Sequence, residues 1–345
     1  MINEETNENP WGVRFMMMFN MASASSLFNT RKQLDNMDGK LQGNSYTVGN
    51  DIYVPLYEGK MFWFYNHHYA EFPNEYDVSR RPSTTNNTPT DTLSDSNSPV
   101  KPWYWVKKSL VDNRLIDPDK DGNIRWQWTH SYYIAFRDVT NATNERTCVA
   151  TLMPSGVAAG HKAPLVFTSR RLIPSTCFAA MLSSIVFDYV ARQKVGGSSM
   201  SLFIMKQQPT LTHDQIPSAM QWQIVKRVAE LCYFNHDMDG WASELWEEMN
   251  EEQRAELPQL GTQQPWIYNP ERRAILQAEL DAIFAHLYGL DTEDLRYILD
   301  PEDVCGKGCI NETFRVLKDN ELRQYGEYRT KRLVLEAWNK FGYNN

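Results

Sequence analysis

Residues 174–197 constrain the fold most. Phe178, Met181, Leu182, Ile185, Val186, Tyr189 and Val190 recur at spacings of three and four, which puts them on one helix face. Pro174-Ser175 offers a start. Arg192 and Lys194 suit the negative end of the helix dipole, and Gly196-Gly197 stops the run. The pattern predicts one long helix whose apolar face needs a partner layer. Residues 200–205 then read as a short strand, closed by Lys206-Gln207-Gln208-Pro209.

Such a layer is on offer upstream. Residues 51–65, 103–106, 132–136, 148–153 and 163–167 are β-prone runs bounded by turn residues. Beyond residue 215 the pattern is helical. Asn269-Pro270 caps a helix with Leu276, Leu280, Ile283, Phe284 and Leu287 inward; Thr292 opens a short helix that ends before Pro301. Gly326 precedes a last one with Leu333, Val334, Ala337, Trp338 and Phe341 on one face. The expected class is α+β: a mixed α/β part over residues 1–215, with short strands and one long helix, then a helical part over 216–345. Residues 82–99 are nearly all Ser, Thr, Asn, Asp and Pro, so 82–100 is expected as a mobile loop.

Of the 345 residues, 42% are hydrophobic and 12% aromatic, too many for wholesale disorder. No apolar run nears the ~18 residues of a membrane span. Residues 1–10 are acidic and polar, unlike a signal peptide. Five scattered cysteines point to a reducing compartment, hence the cytoplasm. A net charge of −8 argues against nucleic acid only if charge is evenly spread. It is not. Between His161 and Lys206, six basic residues (Lys162, Arg170, Arg171, Arg192, Lys194, Lys206) stand against one acid, Asp188. Between Asp237 and Leu260, eight acids stand against Arg254.

Several motifs suggest chemistry. Asp51, Glu58 and Lys60 resemble the D…E-x-K pattern of a Mg²⁺-dependent nuclease, which needs two carboxylates on one metal. Asp117, Asp119, Asp121 and Gly122 match the start of an EF-hand loop, but its twelfth position is Trp128 rather than Glu. Cys305 and Cys309, with Cys232 and His236, offer four zinc-type ligands, against a bland reading as turn and core thiols. No nucleophile elbow, dinucleotide fingerprint or Walker loop occurs. The basic stretch is the stronger signal. Arg192, Lys194 and the Gly196-Gly197-Ser198-Ser199 turn combine cations with free backbone donors, which suits a phosphate. Arg137, Asp138 and Arg146 are side chains able to read base edges, or else to pair with one another.

An ordered series of blocks carries a resemblance: Asn9-Pro10-Trp11-Gly12; Phe19-Asn20-Met21; Val54-Pro55-Leu56-Tyr57-Glu58-Gly59-Lys60-Met61 with Asn66-His67-His68-Tyr69-Ala70; Phe136-Arg137-Asp138-Val139; Asn144-Glu145-Arg146-Thr147; Gly160-His161-Lys162; Asp188-Tyr189-Val190-Ala191-Arg192-Gln193-Lys194; and Gly326-Glu327-Tyr328-Arg329-Thr330-Lys331-Arg332-Leu333. The set resembles the C-terminal half of type IIG-like adenine-specific DNA methyltransferases of restriction–modification systems. It also resembles their relatives in phage-defence systems of the BREX and DISARM kinds. Residues 82–99 and the acidic segment around Glu247 fall outside the likeness, and Gln208 stands where the family often has Leu.

The resemblance implies a target-recognition module followed by a helical tail, with double-stranded DNA as partner. The methyl-donor motif and the amino-methylating loop lie upstream in that family. S-adenosylmethionine is therefore expected on a methyltransferase partner or a missing N-terminal half, with no cofactor, metal or catalytic residue in this chain. Lys162, Arg192, Lys194 and Lys206 are expected to hold phosphates, with His161 and Ser198 beside them. Arg137, Asp138 and Arg146 are expected at bases or phosphates. The alternatives are the nuclease using Asp51, Glu58 and Lys60, and a structural remnant that binds a methyltransferase but not DNA.

Overall fold

The computed structural model describes residues 1–3, 6, 8–309 and 313–341. Its main strands, in chain order, are β1 (Arg14–Met16), β2 (Phe28–Thr30), β3 (Lys40–Gln42), β4 (Ser45–Val48), β5 (Asp51–Tyr57), β6 (Tyr104–Lys107), β7 (Tyr132–Phe136), β8 (Ala150–Pro154), β9 (Ala158–Ala159) and β10 (Leu165–Phe167). One antiparallel sheet has the order β1-β10-β7-β8, with Ile134 opposite both Val166 and Leu152. The other has the order β2-β6-β5-β4-β3, and β9 pairs parallel to β5. β7 and β8 are buried along their whole length. That is why they read as continuous apolar runs rather than alternating ones.

The main helices are α1 (Leu172–Ser183), α2 (Ile185–Lys194), α3 (Leu202–Lys206), α4 (Ser218–Cys232), α5 (Asp239–Glu248), α6 (Pro270–Leu287), α7 (Thr292–Leu299), α8 (Arg315–Tyr325) and α9 (Arg329–Lys340). The protein is thus α+β with a helical C-terminal part. The cap at Asn269 is as expected: its side chain accepts from Arg272 N at 3.0 Å. The main core runs across residue 215, since Tyr133, Leu152 and Phe178 share one apolar cluster with Val225, Trp241 and Phe284. A second cluster joins Ile185 and Val186 of α2 to Ala282, Leu295, Val334 and Trp338. No single helix among the described residues is long and apolar enough to cross a membrane.

Three expectations are corrected. The single long helix is two helices with a 57° bend. Ser184 is extended (φ −72°, ψ 151°) and caps both: its hydroxyl donates to Met181 O and accepts from Phe187 N. Almost every side of α1 is buried, so apolar spacing continues through the break and does not mark it. The strand at 200–205 is instead the short helix α3. Ser201 caps it, accepting from Ile204 N, and Met205 alone is fully buried. Residues 82–100 are tied down. Leu93 is buried in a helical turn (Thr90–Ser94), Asn235 Nδ2 donates to Ser98 O, and His236 N to Ser96 O. Composition counted the polar residues and missed the one apolar anchor.

A buried charge network joins the two parts. Arg146 donates to Asp281 at 3.2 Å, and Arg192 to Asp188 at 3.3 Å, four residues before it on α2. Each of these four residues is about 95% buried or more. Asp188 also accepts from the backbone N–H groups of Thr147 and Cys148, and Asp281 from Ile185 N at 2.7 Å. Asp281 thus meets a donor freed by the helix break, where the dipole favours an anion. Arg192 donates to the carbonyls of Ala142, Asn144, Glu145 and Thr313. Removing one member strands a buried charge. Arg146→Ala should therefore cost about 3–5 kcal/mol in urea unfolding. Lys194→Ala, on an exposed side chain, should stay within about 0.5 kcal/mol.

Candidate functional site

The second sheet ends where the first one's exit loop begins. β5 runs out into Glu58-Gly59-Lys60-Met61, and β7 into Arg137-Asp138-Val139. Asp138 N donates to Lys162 O, and Met200 N to Asp138 O. Thr140 N donates to Ser198 O, so the Gly-rich turn after α2 lies along residues 138–140. Gly160 N donates to Tyr57 O. A cleft of about 340 Å³ results, lined by Met21, Glu58, Gly59, Lys60, Arg137, Val139, Gly160 and Lys162. Gly59 makes the close approach possible: a Cβ there would lie 2.4 Å from Lys162 O.

Charges around this cleft are paired with one exception. Arg81 binds both oxygens of Glu58 at 2.6 and 2.7 Å, and Lys60 stands 3.8 Å from the same carboxylate. Asp138 is buried and accepts from Lys162 Nζ and from Ser199 Oγ. Arg137 has no carboxylate partner among the described residues. It donates to the carbonyls of Phe62 and Lys60 and lies over the Trp63 ring at 4.6 Å. Trp63 in turn stacks on Tyr69. Arg137 Nε is buried without a partner. Burial lowers the Arg137 guanidinium to about 10.

The expected DNA contacts divide into two groups. Lys162, Lys194 and Ser198 are exposed, and Arg137 and His161 half-buried, His161 accepting from Met21 N at 3.1 Å. Lys194 donates to Gln207 O. Lys206 is half-buried on α3, its carbonyl accepting from Ile2 N. Arg146 and Arg192 are corrected: both are inside the molecule and held by the network above, out of reach of a base or phosphate. Asp138 faces Lys162 and Ser199 rather than solvent, so it positions Lys162 instead of reading a base. Missed in the sequence were Met21, Gly59, Val139 and Gly160 as cleft walls. Their signal was indirect, since all four lie inside blocks of the resemblance.

The metal motifs do not assemble. Asp51 opens the seven-residue strand β5 and Glu58 follows its last residue, roughly 20 Å of strand away, and Asp51 pairs with Lys107 instead. No single Mg²⁺ bridges them. The Asp117–Gly122 segment forms a hairpin turn. Arg14 and Arg125 hold Asp117, and Asp119 accepts from Asp121 N and Asn123 N. The zinc set is split. Cys305 and Cys309 lie together in the turn after Pro301. Cys232 is in the main core, its thiol pushed up by burial to about 12, and His236 faces Asp239.

One group of potential ligands went unseen. Among the described residues, His67, His68 and Asp237 bring three ligand atoms within 4.8 Å of one another. His67 Nε2 lies 2.8 Å and His68 Nε2 2.7 Å from the two Asp237 oxygens. Ligands about 2.0 Å from a tetrahedral zinc stand about 3.3 Å apart, so these are direct hydrogen bonds. The trio pins the turn after β5 to the start of α5.

No family model, curated protein or solved structure matches the chain.

The trio predicts acid sensitivity. Burial lowers the His67 imidazole from its ordinary 6.5, against the pull of Asp237. Burial alone would raise the Asp237 carboxyl, but His67 and His68 outweigh it and hold it well below its ordinary 3.8. Both folded values lie under the unfolded ones, so the unfolded chain binds more protons on acidification. Stability should fall as pH drops through 6.5 and again below about 4. Urea midpoints between pH 8 and pH 3 read this out, and Asp237→Asn should flatten the lower limb.

Proposed function

We propose that this chain recognises DNA for an adenine-specific methyltransferase of a restriction–modification or phage-defence system. The methyl donor and its catalytic loop belong to another polypeptide or to another part of a longer protein, working in the cytoplasm. The observation that carries this reading is convergence. Blocks of the resemblance scattered from Val54 to Lys162 line one cleft with basic side chains at its rim, in a protein of net charge −8. Local positive charge against a negative whole steers a polyanion to one face. In this reading Lys162, Lys194 and the turn at Ser198 hold backbone phosphates and set the register, and Arg137 lies deeper. Arg192, on the buried face of α2, holds the loop at 142–145 and touches no DNA.

The test is binding of a labelled random-sequence duplex across a salt series, by fluorescence anisotropy. Lys162→Ala with Lys194→Ala should weaken binding and reduce the slope of log K against log salt by about 0.9 for each phosphate no longer neutralised. An unchanged affinity and slope overturns the reading. The pure chain with labelled methyl donor should transfer no methyl group to DNA; transfer by the pure chain also overturns it.

A further inference from the structure

A cation drawn out of water is costly, and the molecule meets that cost in two ways. Arg146, Arg192 and Arg227 are buried and each has a carboxylate. Arg273 is held without a carboxylate by the carbonyls of Leu231 and Tyr65 and by the Tyr268 ring. Arg137 is held in the second way, by carbonyls and aromatic faces, but it is half-buried and lines an open cleft. A guanidinium without a carboxylate at the wall of a cleft can take an anion that enters it. The cleft beside it carries excess positive charge. Lys60, Arg81, Arg137 and Lys162 stand against Glu58 and Asp138.

The rest of the lining is neutral and thin. Met21 and Val139 supply apolar surface, and Val139 is 59% exposed. Gly59 and Gly160 keep the walls close: a Cβ on Gly160 would lie 3.0 Å from Met21 Sδ. Apolar walls suit the face of a nucleobase, and an unpaired guanidinium suits a phosphate, which it meets with fixed donors.

We infer that the cleft is a mononucleotide subsite: it takes one unstacked nucleotide, its base against Met21 and Val139 and its phosphate at Arg137 and Lys162. The inference rests on the DNA-recognition reading for the source of that nucleotide. The chemistry is shared by a DNA strand and by a free nucleotide, and the experiment separates them.

The probes are deoxyadenosine monophosphate, deoxyadenosine, inorganic phosphate and a single-stranded oligonucleotide of about ten nucleotides, titrated calorimetrically into the full chain. The monophosphate should bind at one site, more tightly than deoxyadenosine or phosphate. Val139→Trp fills the slot from an exposed position, leaves charge unchanged and should weaken binding at least about tenfold. Arg137→Gln should do the same, with urea unfolding run on both variants to show that they fold. Competition by the oligonucleotide assigns the subsite to a DNA strand; binding without competition assigns it to a free nucleotide, and both support the subsite. No saturable binding up to about 10 mM, or binding indifferent to Val139→Trp, overturns it. Duplex binding with an intact salt slope but no mononucleotide binding removes the subsite and leaves the recognition reading. Mononucleotide binding without duplex binding does the reverse.

Discussion

Arg146, Asp188, Arg192 and Asp281 lie almost out of contact with water, and much of the structure hangs on how they are satisfied. Each comes from a site that folding alone brings together: the segment before β8, two turns of α2 and the middle of α6. Buried charges tolerate few geometries, because each lone donor or acceptor costs several kcal/mol. Asp281 has its best donor, Ile185 N, only because the helix breaks at Ser184. Arg192 reaches carbonyls of Ala142, Asn144 and Glu145 only because that loop passes under α2. The break, the loop path and the docking of α6 are thus one arrangement.

That arrangement also leaves the cleft open. With residues 146–148 drawn inward, residues 138–140 run along the turn after α2, where Val139 is exposed. Asp138 fixes Lys162 and Ser199 there, and Arg137 turns under Trp63. The basic residues from 161 to 206 therefore serve two purposes. Arg192 supports the interior, whereas Lys162 and Lys194 face water. A charge count along the chain adds them together; burial separates them.

Much of the fold was legible in the sequence. Asn269 and Pro270 marked the start of α6 by local chemistry, since a cap needs only its own neighbours. β7 and β8 showed as apolar runs. The break at Ser184 was hidden because α1 is buried on nearly every side, so the three-and-four spacing held on both sides of it. The strand expected at 200–205 was a helix because Ser201 offers a cap that outweighs a short apolar run. For the site, Arg137 and Lys162 were found by type and block, and Met21 and Val139 were not, because neither carries a chemical signature. The paired histidines gave no spacing signal either, as their carboxylate lies about 170 residues away.

The sequence by itself determined an α+β protein with a helical C-terminal part, no helix suited to a bilayer, and a basic stretch inside an acidic chain. These depend on period, composition and near neighbours. Tertiary structure decided which arginines are free to meet a ligand. An arginine and its aspartate attract whether they are exposed or buried, and sequence position does not say which. Only packing, by removing water, makes Arg146 and Arg192 parts of the interior and leaves Arg137 at the wall of the cleft.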